Sequence, residues 1–330
     1  MTKDELKEKL DGLIAQDDCG MNIFFVLRKQ DTFILKKANV RHDALEPLKA
    51  SLKESIIQMN QQLESDDFSL MNLSVADGRR EAMYVYDLEE VPAPVTLMKE
   101  LDENLFNIDY FTEANNKVFD FSTDSFDEID AWIASYGVEG NYVITYRKTF
   151  SVNLLKQGRN LLLFKDAGQI DLFRNDLLRI DGKMDFFRIS DVTIIYNLSI
   201  LEKFNDFKEI VVRAATDSIT RIAAVDLVTD IAKLHERAQT DISFARKLVK
   251  VTTNSLVLNV VSKDEIIAFA RTHAYLSRRL KISAQDKFEL NKKTSQNLFL
   301  QLLDDAFLHS ELSRNDYLSP GKDILQPEGD

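Results

Sequence analysis

Cysteine is nearly absent from this 330-residue sequence, and its scarcity excludes two kinds of site. Cys19 is the single cysteine, so the chain can form neither an internal disulfide nor a multi-cysteine zinc site. The neighbouring Asp17 and Asp18 disfavour a thiolate at Cys19, so we do not expect a nucleophile there. So little cysteine is typical of a reducing compartment, and we expect a cytoplasmic protein.

Long apolar runs are missing as well. The longest candidates, such as Leu161–Phe164, have the length of a strand and fall far short of the roughly 20 residues that span a bilayer. The N-terminal segment MTKDELKEKLDGLIAQ is charged and amphipathic and lacks the apolar core of a signal peptide. We therefore expect any action at the inner membrane to require recruitment by a partner.

The sequence motifs of phosphate and metal chemistry do not occur. There is no G-x-x-x-x-G-K-[ST] run and no G-x-G-x-x-G run, and the ten glycines are scattered as turn residues. The four histidines show no ligand spacing, and surface or core roles explain them better than metal binding; they are His42, His235, His273 and His309. We expect no cofactor, no metal and no catalytic residue.

Two groups of carboxylates are the residues for which a catalytic role is considered. Glu202, Asp206 and Glu209 lie close in sequence, although the solvated face of helices accounts for them more simply. Asp166 and Asp171 flank a predicted hairpin, where turn chemistry is an equally good explanation. A metal-dependent nuclease or nucleotide-acting enzyme with an unrecognised site stays open as the alternative.

Apolar periodicity predicts an α+β protein with two domains. Residues 1–150 form a mixed α/β-sheet domain, and residues 151–330 contain an antiparallel β-meander at 159–196, helices over 199–307 and a tail at 308–330. Within the first domain the pattern predicts helices at 3–15 and Asp43–Leu63.

Four further elements are predicted from short local patterns. Val91–Pro94 is expected to be an extended connector, and Thr96–Met98 a short strand. Phe126–Tyr136 is expected to be a helix that stops at Gly137. A last helix is expected over Ala284–Phe307.

Charge is distributed unevenly along the chain, which carries a net charge of −12. Residues 1–150 hold 16 Lys/Arg against 29 Asp/Glu, whereas residues 233–293 hold 13 against 6. An acidic first half and a locally basic stretch predict two surfaces for different partners.

The basic stretch is the strongest binding feature. Residues 271–281 are expected to form one helix or two short helices. If they form one helix, Arg271, Tyr275 and Arg278 share a face, and cations with an interleaved aromatic suit a phosphate backbone. Ordinary surface cations, or cations that complement helix dipoles, explain the same residues without any ligand. The predicted DNA-binding residues are Arg246, Lys247, Lys250, Arg271, Arg278, Arg279, Lys281, Lys292 and Lys293.

A family resemblance covers about 159–235, a stretch that contains NLLLFKDAGQIDLFRNDLLRIDGKMDFFRISDVTIIYNLSILEKFNDFKEIVV at 160–212. In its apolar positions and element order this stretch resembles the DUF4868 family, which includes the soluble component of the Kiwa anti-phage system. The resemblance implies a DNA-binding effector that associates with a small multi-pass membrane protein (KwaA-like) and restrains phage replication or expression. It transfers no individual site residue.

These observations leave three functions open. The first is a non-catalytic effector that binds double-stranded DNA through its backbone, with little sequence preference, as a homo-oligomer that aligns its basic faces. The second is the enzyme described above. The third is a protein–protein adaptor that works through the acidic residues 1–150.

Overall fold

The protein was analysed as a computed structural model, which describes residues 1–30, 32–76, 81–155, 163–166, 169–172, 177–204, 207–310, 312 and 316–318. Its contacts divide the chain into two compact units. The first unit comprises Met1–Leu73 and Arg79–Asp206, and the second comprises Ser74–Gly78 and Phe207–Asp330. The predicted boundary at 150/151 falls inside the first unit.

An eight-stranded sheet is the centre of the first unit, which together with the helical second unit confirms the α+β class. The strands of this sheet are β1 (Gly20–Lys29), β2 (Thr32–Lys37), β3 (Ser69–Asn72), β4 (Ala82–Val85), β5 (Ile129–Val138), β6 (Asn141–Lys148), β11 (Phe186–Ile189) and β12 (Val192–Ile195). Their order is β2-β1-β5-β6-β11-β12-β4-β3, and among these described strands only β3 and β4 pair in parallel.

The described part of the first unit contains four α-helices: α1 (Lys3–Ile14), α2 (His42–Gln62), α3 (Ala93–Asn104) and α4 (Leu198–Phe204). Helices α1 and α2 bury apolar stripes in one core cluster, to which Leu10, Ile56 and Trp132 belong. Helix α3 contacts β6, where the Tyr142 hydroxyl donates a hydrogen bond of 2.6 Å to Asp102. Alternate residues of a strand point to opposite faces, so helices cover both faces of β6.

The predicted meander divides among three sheets. Strands β11 and β12 form an antiparallel hairpin that joins the main sheet beside β6. β8 (Leu163–Asp166) pairs with β9 (Gln169–Leu172), and β10 (Leu177–Leu178) pairs with β7 (Leu154–Leu155). The rest of 156–176 lies outside the described residues.

Three local predictions for the first unit are wrong. Phe126–Tyr136 is a short 3₁₀ turn followed by β5, because a central strand covered on both faces presents a continuous apolar run that also fits a helix. Thr96–Met98 lies inside α3, whose burial extends from Pro94 to Leu101. The connector predicted over Val91–Pro94 is extended only as far as Pro92, and Ala93 and Pro94 belong to the first turn of α3, since Pro is tolerated where no helical partner needs its N–H.

Helices make up most of the described second unit. They are α5 (Phe207–Ala224), α6 (Ala232–Thr240), α7 (Ile242–Asn254), α8 (Leu256–Val260), α9 (Lys263–Thr272) and α10 (Lys293–Leu303), and a short hairpin of β13 (Phe307–His309) and β14 (Asp316–Leu318) follows. The predicted helix over Ala284–Phe307 is therefore too long at both ends. Asp241 and Ser262 cap α7 and α9, each accepting a backbone N–H.

Candidate nucleic-acid interface

Residues 271–281 do not form one helix, so the condition under which Arg271, Tyr275 and Arg278 would share a helical face is not met. Helix α9 ends at Thr272, because His273 takes an extended conformation (φ −69°, ψ 119°) and breaks the hydrogen-bond ladder. Residues 274–279 continue as turns. Arg271 and Arg278 therefore do not share a helical face, and a connected loop presents the cations instead.

Three cations of this loop are exposed and make no ion pair with any carboxylate that the structure describes: Arg278, Arg279 and Lys281. The Arg279 guanidinium lies 3.8 Å from the centroid of the Tyr275 ring, within the range of a cation–π contact. The centroid of the Tyr275 ring lies 6.2 Å from that of the Phe307 ring, so Arg279 contacts one member of a small aromatic cluster. Arg271, by contrast, is paired with Asp286, which offsets its charge.

The cations of α7 differ in their surroundings. Lys247 is exposed and has no ion pair among the described residues. Lys250 Nζ lies 3.0 Å from the Asp304 carboxylate at the end of α10, and this ion pair offsets much of the lysine's charge. Arg246 is half-buried on the same helix. Of the three predicted residues on α7, Lys247 is the best placed to meet a ligand.

Lys292 and Lys293 stand where α10 begins. Both side chains are exposed and have no described carboxylate partner. In the first turn of the helix, the Ser295 hydroxyl donates a hydrogen bond of 2.8 Å to the Lys292 carbonyl. Arg237, which the sequence analysis did not single out, donates to the Lys293 carbonyl at 3.0 Å and to Asp241 at 3.2 Å. It therefore ties the start of α10 to the start of α7.

Contacts at the far ends of α7 and α10 show that the two helices run in the same direction. Ser255, just after α7, donates to the carbonyl of Leu303 at the end of α10, close to the Lys250–Asp304 pair. An eleven-residue helix is about 16 Å long, so Lys250 and Lys293 lie about that far apart along the axis.

The loop cations are linked to the start of α10 by a backbone contact. The N–H of Glu289 donates to the Lys281 carbonyl at 2.9 Å, which places the two residues opposite one another. Three residues of extended chain reach at most about 11 Å, so the Cα atoms of Lys281 and Lys292 are within roughly 16 Å. The structure thus brings Lys281, Lys292 and Lys293 into one neighbourhood.

Asp226 neutralises part of the basic stretch. Its carboxylate contacts Lys263 at 3.1 Å and also pairs with Lys287, and hydrogen bonds from the two lysines lower its pKa. Neither lysine was among the predicted DNA-binding residues. Of the nine that were, six remain exposed and unpaired with any carboxylate within the described residues: Lys247, Arg278, Arg279, Lys281, Lys292 and Lys293.

The described residues contain no group of three His, Cys, Asp or Glu side chains placed to hold a metal ion. Of the carboxylates considered from the sequence, Glu202 lies in α4 and Glu209 in α5, while Asp206 and the side chains of Asp166 and Asp171 are outside the described part. Within the same described part, no helix is both long and apolar enough to cross a membrane.

Comparisons with known proteins agree with the resemblance read from the sequence. The profile of the family described as "Kiwa protein KwaB-like" matches residues 127–313, and no solved structure matches the chain. The chain is 28% identical over 335 residues to "Kiwa protein KwaB" of Escherichia coli O55:H7 (strain RM12579 / EPEC), covering 98% of this chain and 99% of that protein. These matches support a role in anti-phage defence. Because the profile covers more than half of the chain, this protein belongs to the KwaB-like family of Kiwa proteins.

Proposed function

We propose that this protein is a non-catalytic DNA-binding effector of an anti-phage defence system, which restrains phage DNA replication or expression. The observation that carries the proposal is the set of six exposed cations in the second unit without a described carboxylate partner. Unpaired cations are the ones available to phosphates, since an ion pair must be broken before its cation can bind elsewhere.

The arrangement fits a duplex backbone better than a base sequence. Duplex DNA carries one negative charge per ~1.7 Å of axis, so a separation of at most about 16 Å between the Cα atoms of Lys281 and Lys292 spans at most about nine phosphates of the two strands. Lysines are compact point charges that neutralise phosphates without reading bases. Little sequence preference is therefore expected, and Tyr275 supports Arg279 as a fixed donor at one end of the set.

The net charge of −12 opposes DNA at long range, so binding depends on a local surface and on low ionic strength. A homo-oligomer would place several copies of the basic surface along one duplex. We also propose that a small multi-pass membrane protein of the same system (KwaA-like) holds the effector at the inner membrane. Membrane fractionation of cells with and without that partner tests the second proposal, and an unchanged distribution contradicts it.

The DNA proposal is tested by titrating a labelled 30-base-pair duplex with the full chain at several salt concentrations. Six phosphate contacts predict a slope of log K against log salt of about −5, and a loss of about a thousandfold in affinity between 50 and 200 mM salt. Replacing Arg278, Arg279 and Lys281 together with Gln should weaken binding and reduce the slope by about three. Binding that is absent at low salt, or indifferent to salt, contradicts the proposal.

A matched control separates local from global charge. Lys9, Lys53 and Lys99 lie in the first unit and form no ion pair with a described carboxylate, so replacing them with Gln changes the net charge equally. The control variant should keep the slope of the parent protein. An equal loss in both triple variants would mean that net charge, and not this surface, governs binding.

A further inference from the structure

A polar cleft lies in the first unit, far in sequence from the predicted DNA-binding residues. Its volume is about 430 Å³, within the range of small-molecule sites. Helix α2 supplies one wall, with Ser55, Gln58, Met59 and Gln62, and the ends of β6, β11 and β12 supply the other, with Arg147, Lys183, Met184, Asp185, Tyr196 and Asn197.

A fully buried carboxylate organises the floor of this cleft. Asp185 accepts hydrogen bonds from Arg147 Nη1 at 2.9 Å, from the Lys148 backbone N–H at 2.9 Å and from Asn197 Nδ2 at 3.1 Å. The first two donors come from the end of β6 and the third from the residues after β12. Asp185 therefore holds Arg147 in place before any ligand arrives.

The guanidinium of Arg147 keeps donors available. Its Nε lies 3.5 Å from Asp181, which is long for a hydrogen bond, and its Nη2 has no partner among the described residues. The side chain is 22% exposed, in the wall of the cleft. A planar fork of this kind, fixed on one edge and open on the other, matches the oxygens of a phosphate.

Lys183 adds a second positive charge at the rim. It is exposed and forms no ion pair with a described carboxylate. The preceding Gly182 lies so close to α2 that a Cβ on it would be 2.3 Å from Ser51 Oγ and 2.5 Å from the Ser51 carbonyl carbon. The turn that carries Lys183 is thus packed against the helical wall, and the rim is preformed.

The part of the cleft lined by Tyr196, Gln58 and Gln62 suits a planar polar group. The Tyr196 hydroxyl donates to Gln62 Oε1 at 3.0 Å, which fixes the aromatic ring beside the space. Gln62 Nε2 and Gln58 add carboxamide groups, which can donate to or accept from the edge of a base. An aromatic face with neighbouring amides is a common environment for a stacked base.

We propose that this cleft binds a free nucleoside monophosphate, with its phosphate on Arg147 and Lys183 and its base against Tyr196. Asp185 and Asp181 offset the charge of Arg147, so Arg147 contributes mainly its open N–H donors, while Lys183 contributes the positive charge that has no described carboxylate partner. The cleft is formed by residues of the first unit and the proposed DNA-binding residues belong to the second, so the two proposals are tested with different variants.

The test is isothermal titration calorimetry of the full chain with AMP, GMP, CMP and UMP, and with adenosine and inorganic phosphate as partial ligands. At least one monophosphate should bind more tightly than either partial ligand. Lys183→Ala should weaken that binding by about tenfold, the loss expected for one charge-assisted hydrogen bond. Tyr196→Phe should keep most of the affinity, whereas Tyr196→Ala should lose it.

Lys99→Ala is the matched control, because Lys99 is an exposed lysine of the same unit that does not line the cleft. It should leave nucleotide affinity unchanged. Absence of binding by every monophosphate at millimolar concentration overturns the proposal, as does equal binding of inorganic phosphate, because the base wall would then contribute nothing. A gel shift with the Lys183→Ala protein should match the parent, and a loss of duplex binding there would assign the cleft to DNA and overturn the free-nucleotide proposal.

Discussion

Two lysines that share one aspartate provide a sharp test of how burial sets the strength of an ion pair. Lys36 Nζ lies 2.8 Å from Asp124 Oδ2, and Lys29 Nζ lies 2.9 Å from Asp124 Oδ1. The distances are almost equal, but the Lys36 side chain is 2% exposed and the Lys29 side chain is 35% exposed. Asp124 itself is 1% exposed, so it depends on both partners for its charge.

We expect Lys36→Met and Lys29→Met to differ greatly in their effect on the free energy of unfolding. Removing Lys36 leaves a buried carboxylate with a single exposed cation, and breaking a buried pair costs about 3–5 kcal/mol. Removing Lys29 breaks a partly solvated pair, for which about 0–1 kcal/mol is usual. Methionine keeps most of the aliphatic stem, so the comparison isolates the charge.

Urea unfolding followed by tryptophan fluorescence measures the difference. Trp132 is the only tryptophan of the chain and is buried in β5, so its signal reports the first unit. Lys36→Met should lower the midpoint by about 1 M or more, and Lys29→Met by only a small fraction of that. Adding Asp124→Asn to Lys36→Met should recover part of the loss, because the unpaired charge is then gone. Equal shifts for the two single variants would refute the reasoning.

Two further predictions concern the first unit. Burial by itself raises the pKa of Asp124, but hydrogen bonds from Lys36, the Asp120 N–H and Lys29 lower it below its ordinary value of 3.8. The stability that ionised Asp124 contributes is therefore complete above pH 3.8, and it is lost as the pH falls through the lower pKa of the folded state. Acid titration should thus destabilise the parent protein more steeply than the Lys36→Met variant. Identical acid profiles of the two proteins would contradict this prediction. Gly137→Ala should destabilise the first unit by more than Gly140→Ala. Both glycines have positive φ, a conformation that costs alanine about 1–3 kcal/mol. Only at Gly137 would the new Cβ also clash with the backbone, at 2.3 Å from the Asn141 carbonyl oxygen. Thermal unfolding compares the two variants, and equal losses would show that the close approach is relieved without cost.

The sequence alone determined those elements whose pattern is local. Helix α2 follows from apolar residues at three- and four-residue spacing, which predicted a helix over Asp43–Leu63. Caps also act locally: Asp241 and Ser262 start their helices through hydrogen bonds that span three residues. The family resemblance is equally a matter of ordered apolar positions, and the comparisons confirmed it.

A local pattern of apolar residues could not identify β5, a strand that is buried on both faces. In β5 the residues from Ala131 to Tyr136 are all buried, since β1 and β6 flank the strand and helices cover the sheet. Such a run has no alternation, so its periodicity fits a strand or a helix equally well. Only the pairing of β5 with β1 and β6 decides for the strand.

The electrostatics of both candidate sites were decided by contacts between distant residues. The count of cations in 233–293 was correct from the sequence, but Lys250 is neutralised by Asp304, 54 positions away, and this cannot be counted from composition. The cleft likewise brings Arg147, Lys183 and Tyr196 against α2, from which they are separated by up to about 140 positions in the sequence. Local hydrogen bonds and apolar spacing are encoded in neighbouring residues, whereas the charge that remains free depends on which chain segments fold against one another.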